Sequence, residues 1–215
     1  MLRLRNLAIV CAAMCGLLNA ASAGERLDPA EMAEINNYGS NSRLLVRFDL
    51  GRAKNAEKIT KATLRLEDVK PAGDVEIRPI LTAWGSIAEG LAKRQSEGVW
   101  REVDLKAPDS KVASELFLIG MADWGSAARG VSGWKTPGGD FGDAAGAIKA
   151  DGELAADVTA LVKAWQARPD ANFGVALKLA NEVKGPVFRT ATAYILLEGE
   201  GVTVDSELST KAAPA

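Results

Sequence analysis

At 215 residues the chain fits one domain, large enough to bury a core of its own, and 47% hydrophobic with 25% charged residues excludes wholesale disorder. A net charge of −2, with no basic run or arm, argues against nucleic acid as a partner. With no histidine in the chain, a Ser-His-Asp triad, a Cys-His pair and a histidine zinc site are all ruled out.

The first 23 residues read as an export leader rather than as part of the fold. Arg3 and Arg5 form a positive region, Leu7 to Leu18 an apolar one, and Ala21-Ser22-Ala23 a small-residue cleavage site with Gly24 as the expected new N-terminus. The apolar stretch is too short for a membrane span, so none is expected. Cys11 and Cys15 both lie in the leader, so the processed chain carries no cysteine and must be held by its core alone. The expected destination is extracellular or periplasmic.

After the leader, Asp28-Pro29 predicts a short helical turn ending near Ile35, broken by Asn36, Asn37, Gly39 and Asn41. Arg43 to Leu50 predicts a strand, with Leu44, Val46, Phe48 and Leu50 on the buried face and Arg43, Arg47 and Asp49 opposite; Leu45 interrupts the polar face. Ile59 to Val69 alternates with Ala62, Leu64 and Leu66 inward, and after the turn Pro71-Ala72-Gly73-Asp74 a third strand covers Val75 to Leu81. Residues 82–150 are less regular. Strands are expected at 100–105 and 112–121, and residues 124–147 form a long Gly/Ala-rich stretch holding Trp124, Trp134 and Phe141. Leu154 to Val158 predicts a strand and Thr159 to Gln166 a short helix, with Leu161, Val162 and Trp165 at helical spacing and Asp157 or Thr159 as the cap. Phe173 to Leu179 alternates with Phe173, Val175, Leu177 and Leu179 inward. Short strands follow at Val187 to Thr190, Ala193 to Glu198 and Val202 to Val204. Residues 205–215 read as a disordered tail. About eight strands and one short helix predict an all-β, jelly-roll type two-sheet β-sandwich over residues 24–204.

Several segments, in order, carry a family resemblance. They are Ser42-Arg43-Leu44-Leu45-Val46-Arg47-Phe48-Asp49-Leu50, Ile59 to Leu66, Ala122-Asp123-Trp124 with Trp134-Lys135-Thr136-Pro137-Gly138-Gly139-Asp140-Phe141, Asp157 to Trp165, and Asn172 to Lys178. Together they resemble the DNRLRE domain family, secreted bacterial modules related to carbohydrate-binding modules, over roughly residues 36–200. The opening is shorter than the family's, and its name-giving motif is not present as such. The resemblance implies a jelly-roll β-sandwich and, by fold-level analogy, attachment to glycans or a structural role at the cell surface.

The candidate ligand-binding residues are Trp124, Trp134, Phe141 and Trp100, because sugars stack their C–H faces on aromatic rings carried by loops. Against this, the rings could simply pin a glycine-rich loop to the sandwich. That reading is preferred for Trp134, beside Pro137-Gly138-Gly139, while Trp165 reads as core. Asp140 and Asp143, flanking Gly142, could bind calcium, though their spacing is not that of an EF-hand and ordinary turn aspartates are the preferred reading. No other cofactor is implied. The expected function is therefore a secreted, non-catalytic module binding a polysaccharide or cell-surface glycan. Its alternatives are a self-associating structural or adhesive component and, behind that, a small polysaccharide-cleaving enzyme using paired carboxylates that no spacing singles out.

Overall fold

Period-two alternation in this chain resolves into two antiparallel sheets that face each other. The computed structural model describes residues 24–37, 40–85, 122–129, 132–183 and 187–205. One sheet has four strands in the order β1 (Glu25–Leu27), β12 (Thr192–Gly199), β5 (Ile59–Glu67), β10 (Ala155–Asp157). The other has five, in the order β2 (Glu31–Asn37), β3 (Ser40–Arg47), β11 (Val175–Leu179), β6 (Val75–Pro79), β9 (Gly146–Ile148). Two short pairs complete the strands among the described residues: β4 (Ala53–Lys54) with β13 (Thr203–Val204), and β7 (Ser126–Ala128) with β8 (Ser132–Gly133). The expected all-β sandwich is what forms. The thirteen strands among the described residues exceed the eight expected because several have only two or three residues, too few to show alternation.

The core between the sheets is built from the alternating residues. Ala62, Leu64 and Leu66 of β5 and Ala193, Ile195 and Leu197 of β12 share one cluster with Leu44 and Val46 of β3, Val75 and Ile77 of β6, and Val175, Leu177 and Leu179 of β11. Each large aliphatic side chain withdrawn from water contributes roughly 1.5–3 kcal/mol, which lets the core hold the fold without a cross-link. Phe48 and Phe188 close the same cluster.

The helix α1 (Thr159–Ala167) lies where expected and buries Val162 and Trp165. Neither candidate occupies the N-cap position, which falls on Val158 and carries no side-chain cap bond; their oxygens anchor the helix start instead. Asp157 Oδ1 accepts from the Thr159 N–H at 2.8 Å, while Thr159 Oγ1 accepts from the Ala62 N–H at 2.9 Å. Since the Val158 N–H also donates to the Ala62 carbonyl at 2.9 Å, the helix start is tied to the middle of β5.

Four expectations differ. Residues 31–37 are the edge strand β2, not a helical turn: the ladder offered by β3 outweighs the helical preference of Ala30 to Glu34, and Ala33 sits opposite Leu45. Residues 187–190 form a turn rather than a strand, with Phe188 only 1% exposed. Phe173 precedes β11 and packs with a separate cluster on the outer face of the five-stranded sheet. Leu45 is fully buried in that same cluster, so the face that read as polar in β3 is covered. The strands expected at 100–105 and 112–121, the leader and the tail from 206 lie outside the described residues.

Gly174 fixes how closely β11 enters beside β3. Its φ is +85°, and a Cβ there would stand 2.1 Å from the Val46 carbonyl oxygen. Gly174→Ala is expected to lower stability by more than about 1 kcal/mol in urea unfolding, whereas Gly73→Ala, in open space, stays within about 0.5 kcal/mol or gains slightly. Equal midpoints for the two variants would refute the close-approach argument.

Candidate functional site

The outer face of the five-stranded sheet carries a second layer. Leu45 of β3, Ala176 of β11 and Ile35 of β2 lie beneath Trp84, Trp134, Ala122, Ala127 and Ile80. The two indole N–H groups are used structurally: Trp84 Nε1 donates to the Phe173 carbonyl at 2.7 Å and Trp134 Nε1 to the Asp123 carbonyl at 2.8 Å. A buried indole needs such a partner, so both rings act as pins for the overlying chain.

That chain is shaped by two aspartates. Asp123 Oδ1 accepts from the N–H groups of Gly125 and Ser126, and Oδ2 from Arg129 Nε at 2.9 Å. Asp140 Oδ1 accepts from the Thr136 N–H at 2.9 Å; its Oδ2 accepts from the Lys135 N–H at 3.0 Å and the Thr82 hydroxyl at 2.9 Å. The Asp140 carboxylate thus closes the turn Thr136-Pro137-Gly138-Gly139 on itself. Gly138 then has φ +88° and packs so tightly that a Cβ would meet the Arg43 guanidinium and the Trp124 ring. The isolated bridge between Phe141 and Ile80 ends the segment against the sheet.

Arg43 joins loop to sheet. From β3 its Nε donates to Glu182 at 2.7 Å and its Nη1 to the Gly138 carbonyl at 2.6 Å. The guanidinium lies 4.4 Å from the centre of the Trp124 ring and 5.5 Å from that of Phe141. Beside this cluster runs an open groove of about 620 Å³. Its floor is the sheet face bearing Arg43, Arg78 and Lys178; its rim is the loop with Lys135, Thr136, Asp140 and Phe141, together with Leu81, which is 58% exposed. Four cations therefore line the groove. The carboxylates among or beside them are committed: Asp140 to the loop, Glu182 to Arg43, and Glu76 to Arg78 at 2.8 Å and Lys178 at 3.9 Å. A second groove, of about 510 Å³, is lined by Glu34, Asn36, Asp123, Trp124 and Arg129.

Three of the four aromatic candidates gather here, in different roles. Phe141 lines the larger groove, Trp124 is half-buried with Arg43 on its ring and lines the second groove, and Trp134 is a buried pin, 8% exposed. Trp100 lies outside the described residues. Asp140 is a loop latch and Asp143 is exposed; among the described residues no three metal-ligating side chains come together. The sequence reading did not single out Arg43, Arg78 and Lys178, since charges on the polar face of a strand ordinarily sit in water. The overlooked signal was Leu45, an apolar residue on that face that needs a cover.

Burial pushes the Asp140 carboxyl up, but the Lys135 and Thr136 N–H groups and the Thr82 hydroxyl outweigh it and hold its pKa below the ordinary 3.8. A depressed folded-state pKa supplies stability above the unfolded value, and that stability fades as pH falls through the folded one. Titrating tryptophan fluorescence downward should therefore reveal loosening of the loop only below about pH 3.8, with Asp140→Asn showing the loosened signal already at neutral pH. Identical curves for the two proteins would contradict the latch.

Fold and site thus define a class: an antiparallel β-sandwich with a cation-lined groove on one sheet face. Searches against family models, curated proteins and solved structures find no match for this chain.

Proposed function

We propose that this protein is an exported, non-catalytic binding module that attaches to a polysaccharide at or near the cell surface, and that the groove along Arg43, Arg78, Lys178 and Phe141 takes the chain. The observation that carries this reading is the pairing of cations with an aromatic ring in one open groove. Sugar C–H faces pack on a ring such as Phe141, and guanidinium or ammonium groups bind carboxylate or sulfate substituents. An acidic polysaccharide satisfies both. The open form suits a polymer that passes through rather than a small molecule enclosed on all sides. The leader motif and the resemblance of the strand and loop segments to DNRLRE modules support the same reading.

The test is affinity electrophoresis of the processed chain in gels containing a polyuronate, a sulfated polysaccharide or a neutral glucan. Retardation by an acidic polymer, weakened by salt and reduced by Phe141→Ala and by Arg78→Ala, is expected. Equal mobility in all gels, or retardation that both substitutions leave intact, would remove the proposal.

A further inference from the structure

We propose that Glu76 and Glu182 are positioning residues, which hold the two groove arginines so that each presents its unspent Nη2 amino group to a ligand oxyanion. This rests on the groove reading above and adds the source of its selectivity.

The two arginines are held in the same way. Arg43 donates from Nε to Glu182 at 2.7 Å and from Nη1 to the Gly138 carbonyl at 2.6 Å. Arg78 donates from Nε to Glu76 at 2.8 Å and from Nη1 to the Gly142 carbonyl at 3.1 Å. In both, a carboxylate takes Nε and the carbonyl of a loop glycine takes Nη1. Neither Nη2 has a hydrogen-bond partner among the described residues. A guanidinium is a rigid planar fork, so two restraints on different nitrogens fix the direction of the third. Lys178 stands directly across from both Arg43 and Glu76 in the strand register, placing an ammonium between the two forks. The Arg43, Lys178 and Glu182 side chains are only 13%, 18% and 20% exposed, which leaves them little freedom to rearrange.

The arrangement looks wasteful for a cationic site, because each carboxylate offsets a positive charge beside the incoming anion. Charge counting alone therefore says that removing Glu76 or Glu182 tightens binding. Positioning says the reverse: an arginine freed at Nε swings among rotamers, and ordering it again on binding costs affinity. The two accounts differ in sign. The ligand chemistry that fits is a planar carboxylate or a sulfate ester, met by two guanidinium Nη2 groups and an ammonium.

The experiment titrates the full processed chain and its variants by calorimetry with a polyuronate and, separately, a sulfated polysaccharide, with a neutral glucan as control. The two acidic arms show which oxyanion is taken. Glu182→Ala and Glu76→Ala are each expected to weaken binding about fivefold or more. Glu182→Gln, which keeps an acceptor for Nε and drops the charge, should bind at least as tightly as the wild type. Melting curves confirm that the variants are folded; Glu76 and Glu182 reach the surface, and either variant alone decides the sign. If the alanine variants bind as well as or better than the wild type while Arg43→Ala and Arg78→Ala lose binding, the positioning role is overturned and the groove stands. If the wild type binds and neither arginine substitution matters, or if it binds nothing, the groove reading falls and takes this inference with it.

Discussion

Trp84→Ala should cost about 3–5 kcal/mol of unfolding free energy, the largest stability loss expected from any single truncation in the outer layer. The ring is fully buried, its N–H is spent on the Phe173 carbonyl at 2.7 Å, and it covers Leu45 and Ala176. Truncation opens a cavity over the sheet and leaves that carbonyl unpaired, so the transfer loss and the polar loss add. Urea unfolding followed by circular dichroism checks the magnitude. A shift under about 1 kcal/mol would mean that the layer collapses onto the sheet without penalty. Trp84→Phe retains most of the volume and loses only the hydrogen bond, so its cost should fall well below the alanine variant's, close to the about 1–2 kcal/mol of one buried bond.

The second large effect belongs to Arg43. Arg43→Ala removes the partner of Glu182, the donor to the Gly138 carbonyl and the cation stacked on Trp124 at 4.4 Å. With the side chain only 13% exposed, the loss is expected at about 2 kcal/mol in stability, together with a tenfold or greater drop in binding to an acidic polymer. Arg43→Lys is the sharper variant. It keeps the charge but cannot reach a carboxylate and a carbonyl with a planar fork, so it should recover a minor part of either loss. Measured by calorimetry and thermal melting, full recovery by lysine would show that charge alone matters at this position.

These two residues also show how far the sequence can be read. Leu44, Val46, Ala62, Leu64, Val175 and Leu177 declare themselves by alternation, because a strand with one wet face must bury the other, and all six lie between the sheets. The helix over 159–167 is equally local, set by the spacing of its apolar residues, although its N-cap falls on Val158 rather than on Asp157 or Thr159. Segments 31–37 and 187–190 were misread because their local preferences are weak and the neighbour that decides them is far away in sequence: β3 for the first, and the inter-sheet core receiving Phe188 for the second.

The candidate site divides along the same line. Trp124, Phe141 and Asp140 stand out as residue types in a glycine-rich stretch, and the structure places them together. Arg43, Arg78 and Lys178 do not stand out, since they come from three strands whose adjacency is a matter of register.

By itself, then, the chain's pattern of alternate apolar residues determined an all-β fold with a core between two sheets, and helical spacing determined the place of α1. Only the tertiary structure decided that the second face of the five-stranded sheet is half covered and half a groove. The reason is physical: alternation reports which side of one strand leaves water, but a surface built from several strands and a loop exists only once their pairing has brought distant residues within a few ångströms of each other.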